Sequence, residues 1–374
     1  MCHFLISMKN LAFVPPIPGC NRPGVFVYRT INDLEKMIQY AKENNVQSAA
    51  VIGGGLLGLE AAKAVADMQI EAHIIEFAPI LMSRQIDKGG HEVLVEKIES
   101  MGLQVHCNAR TSALVGTDGS SDNDSSAPVS GLTFHNEGWK DLPVQMVVVS
   151  AGIKPRDDLA RSAGICVGDR GGVVVNKFME TSAQDIYAIG EVALYENTIY
   201  GLVAPGYHMA DVASKNIVKK IIGKKGQQES APTFDGADFS TKLKLLGCDV
   251  ASFGINQPDP NDFDVSELVW NDSINGVYRK LIFNKPGTRL RGGILVGDAS
   301  DYSKLHSLSM TSADLQDENP TSLIFPSSAK GMMTERRGKD AFEATSSIVC
   351  SCNDISSETV SSAVAQLGPN VTLS

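Results

Sequence analysis

"AAVIGGGLLGLEAAKAVADMQIEAHIIEF", residues 49–77, decides how the rest of the chain reads. The apolar run "AAVI" has the length and bulk of a buried strand. It ends in Gly53, Gly55 and Gly58, spaced G-x-G-x-x-G, and a helical pattern follows with Leu57, Ala61, Ala64, Val65 and Met68 on one face. Three glycines in a loop say little by themselves. Between a buried strand and a helix they serve three separate ends, which are a tight turn, backbone approach to a pyrophosphate, and close helix–strand packing. The helix start offers unpaired N–H groups and a partial positive charge to phosphates. A second strand, "AHIIEF", closes in Glu76, 18 residues beyond Gly58. A carboxylate there accepts hydrogen bonds from a ribose diol and repels a 2′-phosphate. The nearest arginine, Arg84, sits further along, so the pattern favours NADH over NADPH.

Upstream, "PPIPGCNRPGVFVYRT" is an extended, proline-punctuated lead-in. Thr30 and Asp33 have the spacing of a capping box, opening a helix with Leu34, Met37, Ile38 and Ala41 on its apolar side. Downstream, a second amphipathic helix carries Leu94, Ile98 and Met101, and "LQVHC" follows as a short strand. "GTDGSSDNDSSAP" has too little apolar content to pack and reads as a solvated loop. "GLTFH", "VQMVVVSAG", "GGVVVN" and "DIYAIG" read as strands. A helix with Met209, Ala213, Ile217 and Ile221 at fourfold spacing ends the region. "GKKGQQESAP" is a linker, and strands dominate from Phe234 to Tyr302. Residues 303–345 are rich in Ser, Asp and Pro and read as flexible; "SIVCSCNDIS" then opens a new unit.

A dinucleotide unit in mid-chain implies a second nucleotide domain around it. The strand "DIYAI" runs into Gly190, which lets backbone approach a ligand, and then Glu191 at an expected helix start. A carboxylate there either accepts from a ribityl hydroxyl or merely caps the helix.

The bulk properties agree with a soluble globular protein of two or three domains. The chain has 374 residues, 43% hydrophobic and 20% charged. A formal net charge of −10 argues against nucleic acid or an anionic membrane as partner. No apolar run approaches the roughly 18 residues a membrane span needs. The N-terminal stretch lacks a basic region and a cleavage site for a signal peptide. Seven scattered cysteines point to a reducing compartment, by default the cytoplasm, with an organelle as the alternative. Cys107 and Cys248 lie in apolar strands and read as core. The histidines show no metal-ligand spacing.

Together these motifs resemble the two-dinucleotide-domain flavoprotein reductases, and within them the large-subunit family of NAD(P)H-dependent assimilatory nitrite reductases. The resemblance rests on "GVFVYRTINDLEKM", "VIGGGLLGLEAA", "IIEFAPILM", "IYAIGEVA", "YGLVAPGYHMADV", "GADFSTKLKLLGCDVASFG" and "GGILVGDASDY", covering about residues 14–305. It implies an α/β chain: a Rossmann-like NAD-binding domain (31–150) inserted in a truncated FAD-binding domain (1–30 and 151–225). A small α+β reductase or dimerisation domain (226–305), a flexible linker (306–345) and the start of a 2Fe–2S domain (346–374) would follow.

By that resemblance Gly53, Gly55, Gly58 and Glu76 would bind the NADH adenosine half and Glu60 would lie near the nicotinamide. Gly152 would line the nicotinamide pocket, while Gly190, Glu191, Val203, Ala204 and Pro205 would contact FAD. Hydride would pass from nicotinamide C4 to flavin N5, with no side-chain acid or base required. There is no C-x4-C redox pair, so nothing suggests dithiol chemistry. The pair Cys350 and Cys352 is either incidental or half of a 2Fe–2S site, which needs four thiolates. Electron acceptors, the 2Fe–2S and sirohaem/4Fe–4S domains, would belong to a longer parent protein, and a homodimer fits the family. The family's own N-terminal G-x-G-x-x-G and its "ATGS" turn before "PPIPG" are absent, which implies a fragment or degenerate product with half a flavin site. Two other readings remain open: a non-catalytic nucleotide-binding or dimerisation module, and a reductase feeding rubredoxin or ferredoxin.

Overall fold

A computed structural model describes residues 3–8, 10–123, 126–222, 230–245, 247–259, 262–311, 314–315 and 319–326, with backbone alone at 348–350 and 355–356. The chain opens with β1 (Phe4–Ile6), β2 (Leu11–Ala12) and β3 (Val25–Val27), then α1 (Ile31–Glu43), β4 (Ser48–Ile52), α2 (Leu56–Asp67), β5 (Glu71–Ile75), α3 (Lys88–Ser100) and β6 (Gln104–His106). A meander follows, β7 (Thr111–Gly116), β8 (Val129–Phe134) and β9 (Leu142–Pro143), before the chain returns through β10 (Met146–Val149). Next come β11 (Ile153–Lys154), α4 (Asp158–Ser162), β12 (Val173–Val174), β13 (Ile186–Ala188), β14 (Ala193–Tyr195), β15 (Thr198–Ile199) and α5 (Val203–Ile222). The last part holds β16 (Thr241–Leu245), β17 (Cys248–Gly254), β18 (Val265–Asp272), β19 (Val277–Asn284), β20 (Leu290–Gly297), α6 (Tyr302–Thr311) and α7 (Pro320–Ile324).

The centre is a five-stranded parallel sheet in the order β3-β10-β4-β5-β6. Its inner strands read as unbroken apolar runs because both faces are covered, one by α1, α2 and α3 and the other by the β7–β9 meander, and Ala49–Val51 and Met146–Val148 are fully buried. The Thr30–Asp33 capping box forms as spaced and opens α1. On α2 the buried stripe is Gly58, Leu59, Ala61, Ala62 and Val65. That is rotated from the expected face: Leu57, Ala64 and Met68 are only half-buried. Small residues win the inner positions because they let the helix lie close on β4. Burying Leu59 and Val65 contributes about 1.5–3 kcal/mol each.

Residues 25–27, expected in a remnant of the outer domain, belong to this central sheet, with Val25–Val27 paired to Val147–Val149. The outer region consists of β1 parallel to β13, β2 antiparallel to β11, and the small sheet β12-β14-β15. Its core gathers Met179, Tyr187, Val192, Met209 and Ala213. Ile221, placed in that helix stripe by its spacing, is instead 63% exposed near the end of α5.

The polar run 116–128 is not simply solvated. Fully buried Arg22 donates to the carbonyls of Ser120 (2.8 Å) and Ala127 (3.1 Å) and pairs with Asp118 (3.2 Å). Polar chains pack when a buried cation collects their carbonyls.

The C-terminal part is a five-stranded antiparallel sheet, β16-β17-β20-β19-β18. One face packs on α3 of the central domain; the other holds Phe253, Leu281, Phe283 and Leu295 under α6 and α7. The expected flexible linker is therefore partly ordered: Leu315, Leu323 and Ile324 are buried in this core. The Ser- and Asp-rich composition masks the few apolar residues that matter. Among the described residues no helix is long and apolar enough to cross a membrane.

Candidate functional site

The register of the central sheet brings three carboxyl ends together. Val149 stands beside Ile52, and Ile52 beside Ile75, so Gly152, Gly53 and Glu76 follow neighbouring parallel strands. Ligands of open α/β sheets sit at that edge. A cleft of roughly 1380 Å³ opens there, lined by Gly53, Gly55, Leu57, Glu76, Arg84, Gly152 and Ile153.

Each glycine is explained by what a side chain would meet. Gly53 has φ +120°, and a Cβ would stand 2.3 Å from the Ser150 carbonyl oxygen. A Cβ on Gly58 would stand 1.9 Å from the Gly53 carbonyl oxygen, so this residue seats the helix on the turn and does not line the cleft. Gly55 caps α2 with no side-chain hydrogen bond, and the space beside it is open. The first-turn N–H groups of α2 thus have no side-chain cap at their end. The sequence pattern missed Gly54: a Cβ there would lie 2.5 Å from Leu81 Cδ2 and 2.9 Å from Glu76 Oε2.

Glu76 is held in place by backbone. Its Oε2 accepts from the Gly54 N–H (2.5 Å) and its Oε1 from the Ala78 N–H (2.6 Å). Neighbouring Cys107 is half-buried; burial, and then the Glu76 charge, push its thiol up to about 11. Arg84 also lines the cleft, further along the chain than the carboxylate.

Glu60 lies on α2 outside the lining residues, and desolvation raises its carboxyl above the usual range. Burial and the charge of Glu60 together raise the hydroxyl of Tyr28. The next residue, Arg29, reaches Glu191 at 2.8 Å, which links the segment after β3 to the outer domain. Glu191 also accepts from the Asn10 N–H at 3.2 Å. Gly190 has φ +72° with open space around it. The expected helix start at Glu191 is not an α-helix: Gly190–Val192 is a single 3-10 turn leading straight into β14. It therefore supplies no macrodipole. Val203, Ala204 and Pro205 form the first turn of α5, and Gly201 lies 3.2 Å (by its would-be Cβ) from Ile153 in the cleft wall. Asn10 is buried, and among the described residues neither its Nδ2 nor its Oδ1 has a partner.

Gly53, Gly55, Glu76 and Gly152 thus share one cleft, while Gly190, Glu191 and Val203–Pro205 lie on the adjoining outer domain. Cys352 and the side chain of Cys350 fall outside the described residues. Among the described residues no group of three or more His, Cys, Asp or Glu could hold a metal ion.

The family model for pyridine nucleotide-disulphide oxidoreductases matches residues 7–216, and that for the rubredoxin NAD+ reductase C-terminal domain matches 240–311. The chain is 41% identical over 364 residues to the nitrite reductase [NAD(P)H] large subunit of Klebsiella oxytoca, covering 96% of this chain and 35% of the relative. It is 41% identical over 351 residues to the nitrite reductase (NADH) large subunit of Escherichia coli (strain K12), covering 94% and 38%. The chain thus spans little more than a third of these curated relatives. Among solved structures it resembles an NAD-dependent persulfide reductase from A. fulgidus, with TM-score 0.70, 23% identity, and coverage of 92% of this chain and 66% of that one. At that identity the likeness concerns the fold.

Proposed function

The chain belongs to the pyridine nucleotide-disulphide oxidoreductase family, and from that premise we propose that it is the NADH-to-FAD section of a nitrite reductase. The observation that carries this reading is the shared cleft, with a glycine turn, an uncapped helix start and a fixed carboxylate on adjacent strand ends.

In this reading the pyrophosphate of NADH rests on the N–H groups at the start of α2, where the space beside Gly55 is open. Glu76 takes the adenosine ribose. A carboxylate has about four lone-pair sites, and its two backbone donors leave room for a diol. Gly152 lets the chain pass close to the nicotinamide, and Glu60, whose charge acts on Tyr28, would lie near it from outside the cleft lining. Gly190, Glu191 and the Val203–Pro205 turn hold FAD. The buried side-chain amide of Asn10, unpartnered among the described residues and beside Glu191, fits a polar ligand there. When bound, FAD accepts the hydride; the chain orients the two rings and excludes water between them. No proton need move at a side chain.

Cys350 and Cys352 would supply two of the four thiolates of a 2Fe–2S cluster in the parent protein. Its acceptor domains, together with sirohaem and 4Fe–4S centres, would take the electrons, in the cytoplasm and as a homodimer. Anaerobic addition of NADH to the FAD-supplemented chain tests the reading: bleaching of the visible flavin absorbance is expected. A chain that binds NADH yet holds no reducible flavin would instead be a nucleotide-binding module.

A further inference from the structure

The outer wall of the cleft is a loop held from two sides, by Leu81, Met82 and Ile86 buried in the central core and by the C-terminal domain. Met82, Ser83, Arg84 and Gln85 line the cleft. Met82 has φ +48°, a left-handed conformation that a side-chain-bearing residue keeps only when its surroundings impose it. Those surroundings include the C-terminal domain. Asn256 Nδ2 donates to the carbonyls of Arg84 (2.9 Å) and Gln85 (3.1 Å). Gln257 Nε2 donates to the carbonyls of Ser83 (2.9 Å) and Ile86 (3.0 Å). Two adjacent carboxamides just beyond β17 therefore collect four consecutive carbonyls.

From the loop the contacts run on into the site. The Met82 N–H donates to the Gly54 carbonyl at 2.9 Å, and the Gly54 N–H donates to Glu76. Beside the loop the two domains are pressed together. The Tyr278 hydroxyl donates to Asp87 at 2.8 Å, Lys280 lies 3.4 Å from the same carboxylate, and Gly89 leaves room for the Tyr278 ring.

We propose that Asn256 and Gln257 are positioning residues for the dinucleotide: through them the C-terminal sheet fixes loop 81–86 and so sets the affinity for NADH. This rests on the reading that the cleft takes NADH. Without the clamp the loop samples other arrangements, and the apparent dissociation constant rises by the inverse of the fraction that remains competent.

The test uses the full 374-residue chain in two double variants. Asn256→Ala with Gln257→Ala removes both carboxamides, and Asn256→Asp with Gln257→Glu keeps their shape but removes the N–H donors. NADH is titrated by its fluorescence, and limited trypsinolysis after Arg84 is followed by mass, with cleavage after Arg110 as reference. Both variants are expected to bind NADH about tenfold more weakly and to be cut faster after Arg84, with saturating NADH restoring protection. The single variants Asn256→Ala and Gln257→Ala, expected to give intermediate changes, carry the test if a double variant does not fold. Unchanged NADH affinity overturns the proposal, whether or not cleavage quickens. Weaker binding with unchanged cleavage also overturns it, since the loop would not be the cause. A wild-type chain that binds no NADH overturns the cleft reading itself, and is told apart because no variant is needed to see it.

Discussion

Glu76 and Gly54 are joined at 2.5 Å, carboxylate to backbone N–H, across the ends of two neighbouring parallel strands. This contact ties the specificity element to the glycine turn, so the two features read from sequence as separate form one unit. A side chain at Gly54 would press on both Leu81 and Glu76. Gly54→Ala is therefore expected to fold, because the Leu81 end can yield, at a cost of about 1–3 kcal/mol. NADH affinity, followed by fluorescence titration, should fall with it. An alanine variant that binds NADH like wild type would show that the carboxylate need not stay where Gly54 holds it.

Gly58→Ala should be more damaging. Its Cβ would meet a backbone oxygen, Gly53 O, and α2 would have to move off the turn. A loss of at least about 2 kcal/mol in denaturant unfolding is expected, together with loss of NADH binding. Wild-type stability would contradict the packing role given to this glycine.

The stacked histidines at the far edge of the sheet give a pH dependence. His73 Nδ1 and His106 Nε2 are 3.2 Å apart. Burial lowers the pKa of His73; Glu71 pulls it partly back up and His106 pushes it down again. Burial lowers His106 too, against a smaller opposing pull from Glu99. Both are lower when folded than the ordinary value of 6.5, so their contribution is fully present above that value and is lost as pH falls through 6.5 toward the folded values. The melting temperature should drop on acidification in that window, and His106→Gln should flatten the slope. An unchanged slope in the variant would remove the pair as its source.

Thiol labelling reads the environment of Glu76 from another side. Cys166 is exposed, whereas the Cys107 thiol is pushed up to about 11. At pH 8 only about one Cys107 in a thousand is thiolate, so a water-soluble disulfide reagent should modify Cys166 first. Glu76→Gln removes the negative charge beside Cys107 and should speed its labelling. Equal rates in the variant and the wild type would mean that the carboxylate does not face the thiol.

What the sequence disclosed is what is local. Gly53, Gly55, Gly58 and Glu76 sit on one strand–turn–helix–strand unit, and the Thr30–Asp33 cap spans a single helical turn, so spacing alone carries them. Gly54 was hidden inside its own motif, since its constraint comes from Leu81 and Glu76 across the turn. The Arg22 clamp on Asp118, Ser120 and Ala127 and the carboxamides of Asn256 and Gln257 act over about 100 and 170 positions respectively, and no periodicity marks such contacts. Composition misled twice. Polar residues made 116–128 and 306–345 read as loose, while buried Arg22 holds Asp118, Ser120 and Ala127 of the first, and Leu315, Leu323 and Ile324 anchor parts of the second. At Glu191 the turn chemistry was legible, but the strand that follows it was not.

The most direct measurement is a paired titration of NADH and NADPH against wild type and Glu76→Ala. Charge-assisted hydrogen bonds to the ribose contribute about 1.5–3 kcal/mol, so the variant should lose about tenfold or more in NADH affinity while NADPH binding changes less or improves. Equal losses for both nucleotides, or a wild-type chain with no saturable NADH binding, would contradict the assignment of this cleft.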